Sequence, residues 1–195
     1  MSATRTPKRD LALLAALAAA SAVVPWLGND FVVSMALSCL MYVALASSWS
    51  LFCGSTRYMS LATSAFFGVG AYTGALTLGQ LPWLAVIALG AGIAVLLAVV
   101  MGSAVLHLRG TYFAVLTFGM TELIRHAVTF AEKQIAGTVG RVLMVVPERN
   151  TVYLTVLALA AAAILTAIVV RRNRLGLALS GVGADEQRAQ TLGVD

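Results

Sequence analysis

Six long apolar runs constrain this chain more than any other feature. They are Leu11–Leu27, Phe31–Phe52, Met59–Leu78, Trp83–Leu108, Thr111–Ala131 and Thr151–Val170. A helix needs roughly 20 apolar residues to cross about 30 Å of hydrocarbon, at about 1.5 Å of rise per residue. Hydrophobic residues make up 60% of the chain and charged residues 11%, where soluble domains average about 45–50% and about 25%. A water-soluble fold of this length cannot hide so much apolar surface, whereas lipid accepts helices that are apolar on every side. The expected fold class is therefore all-α: a polytopic transmembrane bundle of about six spans, near 11–27, 31–53, 59–78, 83–108, 111–131 and 151–170. Residues 1–10 form a tail, 11–170 the membrane domain and 171–195 a polar segment.

The punctuation between runs fits this division. Pro25 and Gly28-Asn29-Asp30 close the first run, Gly54-Ser55-Thr56-Arg57 the second and Gly79-Gln80-Leu81-Pro82 the third. Trp83 stands where an interfacial anchor would. Ala20-Ser21-Ala22 has the form of a signal-peptide cleavage site, so the first run reads either as a cleaved leader or as a first span. In the third run Ser60, Ser64 and Gly68 recur every four residues, as do Gly70 and Gly74, which places small side chains on one helix face where another helix can approach closely.

Basic residues set orientation in such chains. With the N-terminus inside, nine of the thirteen Lys and Arg residues fall in inner segments: Arg5, Lys8, Arg9, Arg57, Arg109, Arg171, Arg172, Arg174 and Arg188. Lys133, Arg141 and Arg149 fall outside, and Arg125 lies within a span. Both termini are then cytoplasmic. The net charge of +5 is accounted for by these flanking clusters, so nucleic acid is a poor candidate for the partner.

Chemistry-bearing groups are sparse. Cys39 and Cys53 lie in one apolar run, about 21 Å apart if helical, too far to bridge each other. His107 and His126 are isolated, no metal-ligand spacing occurs, and no nucleophile, base and acid can be assembled into a catalytic set. No cofactor is expected, and the chain is not expected to be an enzyme. Glu122 and Arg125 are the informative pair. Glu122 sits about 16 Å along the fifth run, near the bilayer midplane, and Arg125 shares its helix face. A charge there costs at least about 2.5–3.5 kcal/mol on insertion scales. They form either a structural ion pair inside the bundle, with His126 beside it, or a lining of a solute path or subunit joint. Phe67-Gly68-Val69-Gly70-Ala71-Tyr72-Thr73-Gly74 is glycine-rich but matches neither G-x-G-x-x-G nor a Walker loop; it reads as helix packing or as a break near a pathway. In the tail, Asp185 and Glu186 fall at a plausible helix start, followed by an amphiphilic stretch to Gly193: a bare tail or a docking helix.

Three stretches carry a family resemblance. Met59-Ser60-Leu61 through Ala65-Phe66-Phe67-Gly68-Val69-Gly70-Ala71-Tyr72-Thr73 resembles the segment "LSLGHAAFFGIGAYT" of the LivM-type permeases of branched-chain amino-acid ABC importers, with Ala62 and Thr63 in place of Gly and His. Leu108-Arg109-Gly110-Thr111-Tyr112-Phe113-Ala114-Val115-Leu116-Thr117 through Thr121-Glu122-Leu123-Ile124-Arg125 is similar to "LRGxYFAxxTLAFGEIxR". Asn173-Arg174-Leu175-Gly176-Leu177-Ala178-Leu179 with Glu186 through Gly193 is similar to the cytoplasmic loop that carries a degenerate EAA motif, with Arg188 replacing its first alanine. The outer loop offers only Gly137-Thr138-Val139-Gly140 where the family has a "GGTDG"-like run.

The resemblance implies an importer permease in a bacterial or archaeal plasma (inner) membrane, moving branched-chain or other amino acids. Its implied partners are a second permease subunit, two cytoplasmic ATP-binding subunits and an extracytoplasmic solute-binding protein. It implies ATPase coupling through Asp185, Glu186, Ala189 and Gly193, and translocation or helix packing through Ser64, Gly68, Gly70, Gly74, Thr117, Glu122 and Arg125. The family continues with further spans beyond this loop, so a fragment or truncated product is expected, one that does not transport alone. A secondary transporter or channel for a small polar solute is the alternative reading.

Overall fold

The computed structural model describes residues 7–105, 108, 110–137, 140 and 147–184. These form seven helices: α1 (Pro7–Leu27), α2 (Asp30–Thr56), α3 (Thr63–Thr77), α4 (Trp83–Val105), α5 (Thr111–Ala136), α6 (Arg149–Arg172) and α7 (Arg174–Ala184). No strand occurs among the described residues, and the fold is an all-α helical bundle. Three helices, α2, α4 and α6, are individually long and apolar enough to cross a membrane; Asp10–Trp26 is a shorter apolar stretch. α5 is long, but Glu122, Arg125, Glu132 and Lys133 dilute it. The helices divide into two compact units: Met1–Arg57 with Glu148–Asp195, and Tyr58–Pro147.

In the first unit α6 packs along α2 and against α1, and α7 lies against the ends of α2 and α6. Ion pairs sit at both ends of the unit. Arg149, opening α6, pairs with Asp30, opening α2. At the other end Arg172 pairs with Asp10 of α1 at 2.7 Å, and Arg171 Nη2 donates to Ser50 Oγ at 3.0 Å. α2 and α6 therefore run in the same direction and α1 in the opposite one. From Asp30 to Ser50 the rise is about 30 Å, the thickness of a hydrocarbon core. Between the two charged ends the helices carry apolar side chains and hydroxyls. The hydroxyls turn inward: Ser38, Ser48 and Thr166 donate to the carbonyl four residues back, which hides the polar atom against its own helix.

A backbone defect and its repair mark the core of this unit. Pro25 lies inside α1 and has no N–H to offer the carbonyl of Ser21, four residues earlier. Tyr153 of α6 supplies that donor: its hydroxyl donates to the Ser21 carbonyl at 3.0 Å. Tyr153 is 1% exposed and packs with Val33 and Leu157, with Ala22, Val24 and Leu37 around them.

In the second unit α3 and α4 form a hairpin, with α5 against both. The expected turn at Gly79-Gln80-Leu81-Pro82 is present: Gly79 takes a positive φ of 95°, and the Gln80 and Leu81 amides donate to the Thr77 carbonyl. α3 departs from its expected extent. The run begins at Met59, but the helix begins at Thr63, and its fifteen residues rise only about 22 Å. Tyr58 to Leu61 are not helical.

Large apolar side chains remain exposed on both units, among them Leu17, Phe31, Leu84, Leu96 and Val115. Patches of this extent destabilise a protein in water. Against acyl chains they are an ordinary outer surface.

Candidate functional site

The non-helical entry to α3 is irregular backbone, and α5 holds it. A helix start at Thr63 leaves the peptide groups before it without helical partners, and in hydrocarbon an unsatisfied peptide group costs several kcal/mol. Two threonines one turn apart on α5 meet this need. The Leu61 amide donates to Thr117 Oγ1 at 3.2 Å, and Thr121 Oγ1 donates to the Leu61 carbonyl at 3.3 Å. Each hydroxyl is also tied to its own helix, Thr117 to the Ala114 carbonyl and Thr121 to the Thr117 carbonyl, both at 2.9 Å. The Phe113 ring, one turn before Thr117, stacks at 5.1 Å on that of Tyr58. Phe113, Thr117, Ala62 and Ala65 around this entry are all buried.

Thr117, 3% exposed, is thus brought together with Leu61. Replacing it with valine keeps the shape and removes the acceptor. A buried amide left unsatisfied costs about 1–3 kcal/mol. Thr117→Val is therefore expected to lower the thermal midpoint of the detergent-solubilised protein measurably, and Thr117→Ser to lower it less. A midpoint unchanged by valine would mean that the Leu61 amide has another partner.

Glu122 and Arg125 also meet, on a different side of α5, about 140° around the axis from Thr117 for Glu122. Arg125 Nε and Nη2 donate to Glu122 Oε2 at 2.9 and 2.6 Å, and His126 Nε2 lies 3.9 Å from the same oxygen. This cluster is not buried by the chain's own helices: Arg125 is 66% and His126 73% exposed. Phe118, Leu123 and Phe130 are exposed on the same helix.

The small-residue face of α3 is likewise uncovered. Ser64 and Gly68 are exposed, and an added Cβ at Gly68 or Gly70 would meet no atom within 4 Å; at Gly74 it would reach only Leu78, at 3.9 Å. Among the described residues no helix makes the close approach that Gly68 and Gly70 would allow. Gly137, by contrast, shapes a helix end. At φ 71° it caps α5, its amide donating to the Lys133 carbonyl. Asp185, Glu186, Ala189 and Gly193 lie outside the described residues, as do Arg109, Thr138 and Val139. Among the described residues no group of three His, Cys, Asp or Glu side chains is placed to hold a metal. Both cysteines lie on α2, Cys39 exposed and Cys53 half-buried.

Thr121, Leu61, Tyr58 and Phe113 were not singled out by sequence reasoning. A signal existed. Ser60, Thr63 and Ser64 are helix-start residues inside what reads as a span, and Thr117 and Thr121 repeat at the spacing of one helical turn.

The architecture defines a class: an all-α protein whose charges, the Glu122–Arg125 pair of α5 apart, gather toward helix ends, whose large apolar side chains are exposed, and whose irregular entry to α3 is held by hydroxyls. The chain belongs to the family described as the branched-chain amino acid transport system / permease component, which it matches over residues 31–195. Comparison with curated proteins and with solved structures gave no match. The chain is thus a transport permease component and a multi-pass membrane protein.

Proposed function

We propose that this chain is the membrane-spanning permease subunit of an ATP-binding cassette importer of amino acids, branched-chain ones first among them. On this reading it resides in a bacterial or archaeal plasma membrane with six spans and both described ends cytosolic. It works beside a second permease subunit, two cytosolic ATPases and an extracytoplasmic binding protein. The observation that carries the reading is family membership across 31–195. The arginines at one end of the first unit, Arg57 after α2 and Arg171 and Arg172 closing α6, support a cytosolic end there.

Within residues 171–195, Asp185, Glu186, Ala189 and Gly193 would make the contact with the ATPase. Closure of the ATPases on ATP would bias the bundle between two states. Ser64, Gly68, Gly70 and Gly74 on α3 and Glu122 and Arg125 on α5 would face the solute path or the second permease. ATP would be hydrolysed by the partner subunits.

The test is purification from a strain expressing all the subunits, followed by uptake of labelled leucine into proteoliposomes. The expected result is co-purification of an ATPase subunit and uptake that requires ATP and the binding protein. A Glu186→Ala/Gly193→Val chain is expected to retain far less ATPase in the pull-down; normal retention would remove those residues from the contact. Uptake driven by a proton gradient without ATP would replace this reading by a secondary transporter.

A further inference from the structure

α6 and α7 are separated by a single extended residue, Asn173, with φ −90° and ψ 167°. The Gly176 and Leu177 amides donate to the Asn173 carbonyl at 3.0 and 3.3 Å. The elbow is so tight that a Cβ at Gly176 would fall on the Val170 carbonyl and lie 2.9 Å from Arg171 Cα. Only glycine lets α7 fold back on the last turn of α6. Seven residues on, a second backbone contact occurs. A Cβ at Gly183 would lie 2.7 Å from the Ser55 carbonyl oxygen and 2.8 and 2.9 Å from the Thr56 carbonyl carbon and oxygen. These atoms belong to the final turn of α2, which cannot swing aside as a side chain can. That turn is itself fixed. Thr56 is buried and bonds back to the Phe52 carbonyl, and Arg57, in the left-handed region, returns its amide to the Cys53 carbonyl.

The rise from Gly176 to Gly183 is about 10.5 Å, close to the ~8–10 Å between the axes of packed helices. α7 is a crossbar over the ends of α6 and α2, touching both backbone to backbone, and Leu177 and Ser180 on it are exposed. The segment read as the ATPase contact begins at its far end.

We infer that Gly183 is a positioning residue for transport, the close contact through which displacement of the segment after α7 is delivered to the end of α2. The inference rests on the importer reading. It adds to it the receiving element, α2, and the atom pair that makes the joint stiff. A side chain at position 183 would wedge α7 off α2, so movement of the following segment would be absorbed in the gap. Misplacement of about 1 Å far from the chemistry is enough to lower a rate by about 100-fold.

The experiment uses the complete complex of this chain with its partner subunits in proteoliposomes, as wild type, Gly183→Ala and, as a control at an exposed position of α7, Ser180→Ala. Assembly is read by size exclusion, and ATP hydrolysis and solute uptake in parallel. The expected result for Gly183→Ala is normal assembly, basal hydrolysis within about twofold of wild type, and uptake lower by about tenfold or more. ATP consumed per solute therefore rises, while Ser180→Ala behaves as wild type. A second measurement keeps Gly183 in place. A fluorophore on Arg57→Cys, at the exposed end of α2, is expected to change its emission when ATP and loaded binding protein are added, and Gly183→Ala is expected to abolish that change. Normal uptake by Gly183→Ala overturns the inference, and so does a silent Arg57→Cys label in a transporting complex. A Gly183→Ala chain that fails to assemble assigns the glycine to folding and overturns it equally. Absence of ATP-driven uptake by the wild-type complex is a different failure, that of the importer reading itself.

Discussion

Arg125→Ala is expected to leave little of the chain stably inserted, and Glu122→Ala/Arg125→Ala to restore insertion without restoring transport. The two effects separate because the pair meets two demands. Within α5, a lone carboxylate near the bilayer midplane carries a penalty of at least about 2.5–3.5 kcal/mol, enough to shift an insertion equilibrium by roughly 100-fold at about 1.4 kcal/mol per tenfold. Arg125 relieves it with two N–H donors on one carboxylate oxygen. Removing both charges removes the penalty, so the double variant should accumulate in the membrane as wild type does. The pair is nevertheless open to its surroundings, with Arg125 66% exposed. Only part of the guanidinium fork is engaged, and the remaining N–H groups face whatever lies beside α5. A polar surface is required there, because acyl chains satisfy none of them. If that surface is the solute path or the second permease, deleting the fork must impair uptake even when insertion is normal. Membrane accumulation by quantitative blotting and ATP-dependent uptake in the same vesicles give the two readings. Recovery of both by the double variant would reduce the pair to mutual neutralisation. Wild-type accumulation of Arg125→Ala would place Glu122 in water rather than lipid.

Much of the architecture is legible in the sequence because apolar length is a strong signal and turns punctuate it. A helix occupies each of the six apolar runs, and Gly79 and Gly137 stand where the chain must take a positive φ. The shorter α3 has a definite cause. Hydropathy does not distinguish a helix from an extended segment whose peptide groups are satisfied elsewhere, and the satisfying atoms, Thr117 and Thr121, lie far along the chain. The glycines of α3 pose the opposite case. Their spacing reports a face suited to close packing, but no sequence pattern says which helix will use it, and among the described residues no atom comes within 4 Å of a Cβ at Gly68 or Gly70. For the Glu122–Arg125 pair the i,i+3 spacing fixed the partner. What it could not fix was exposure, which depends on how α5 lies against α3 and α4. Gly176 and Gly183 look like ordinary glycines of a polar tail until the ends of α2 and α6 are placed beside them.

Pro25 lies in the last turn of α1, which ends at Leu27, where Gly28-Asn29-Asp30 was expected to stop it. A proline inside a helix strands the carbonyl four residues earlier. Here that carbonyl belongs to Ser21, and Tyr153 reaches it from α6. Tyr153→Phe keeps the ring in its pocket against Val33 and Leu157 but strands the carbonyl again, at about 1–3 kcal/mol for a buried unsatisfied group. Tyr153→Ala adds the emptied pocket. Aromatic-to-alanine deletions cost about 3–5 kcal/mol in water-soluble cores. Part of that is transfer from water, which does not apply when the unpacked state faces lipid as apolar as the core, so about 2–4 kcal/mol is expected here. Both variants should lower the thermal midpoint in detergent, alanine more than phenylalanine. The decisive comparison is with Pro25→Ala, which returns an N–H to α1 and lets the helix satisfy Ser21 by itself. In that background Tyr153→Phe should become nearly neutral while Tyr153→Ala stays destabilising, because the backbone repair does not refill the pocket. An equal loss on Tyr153→Phe with and without Pro25 would show that the hydroxyl serves something other than the gap the proline leaves.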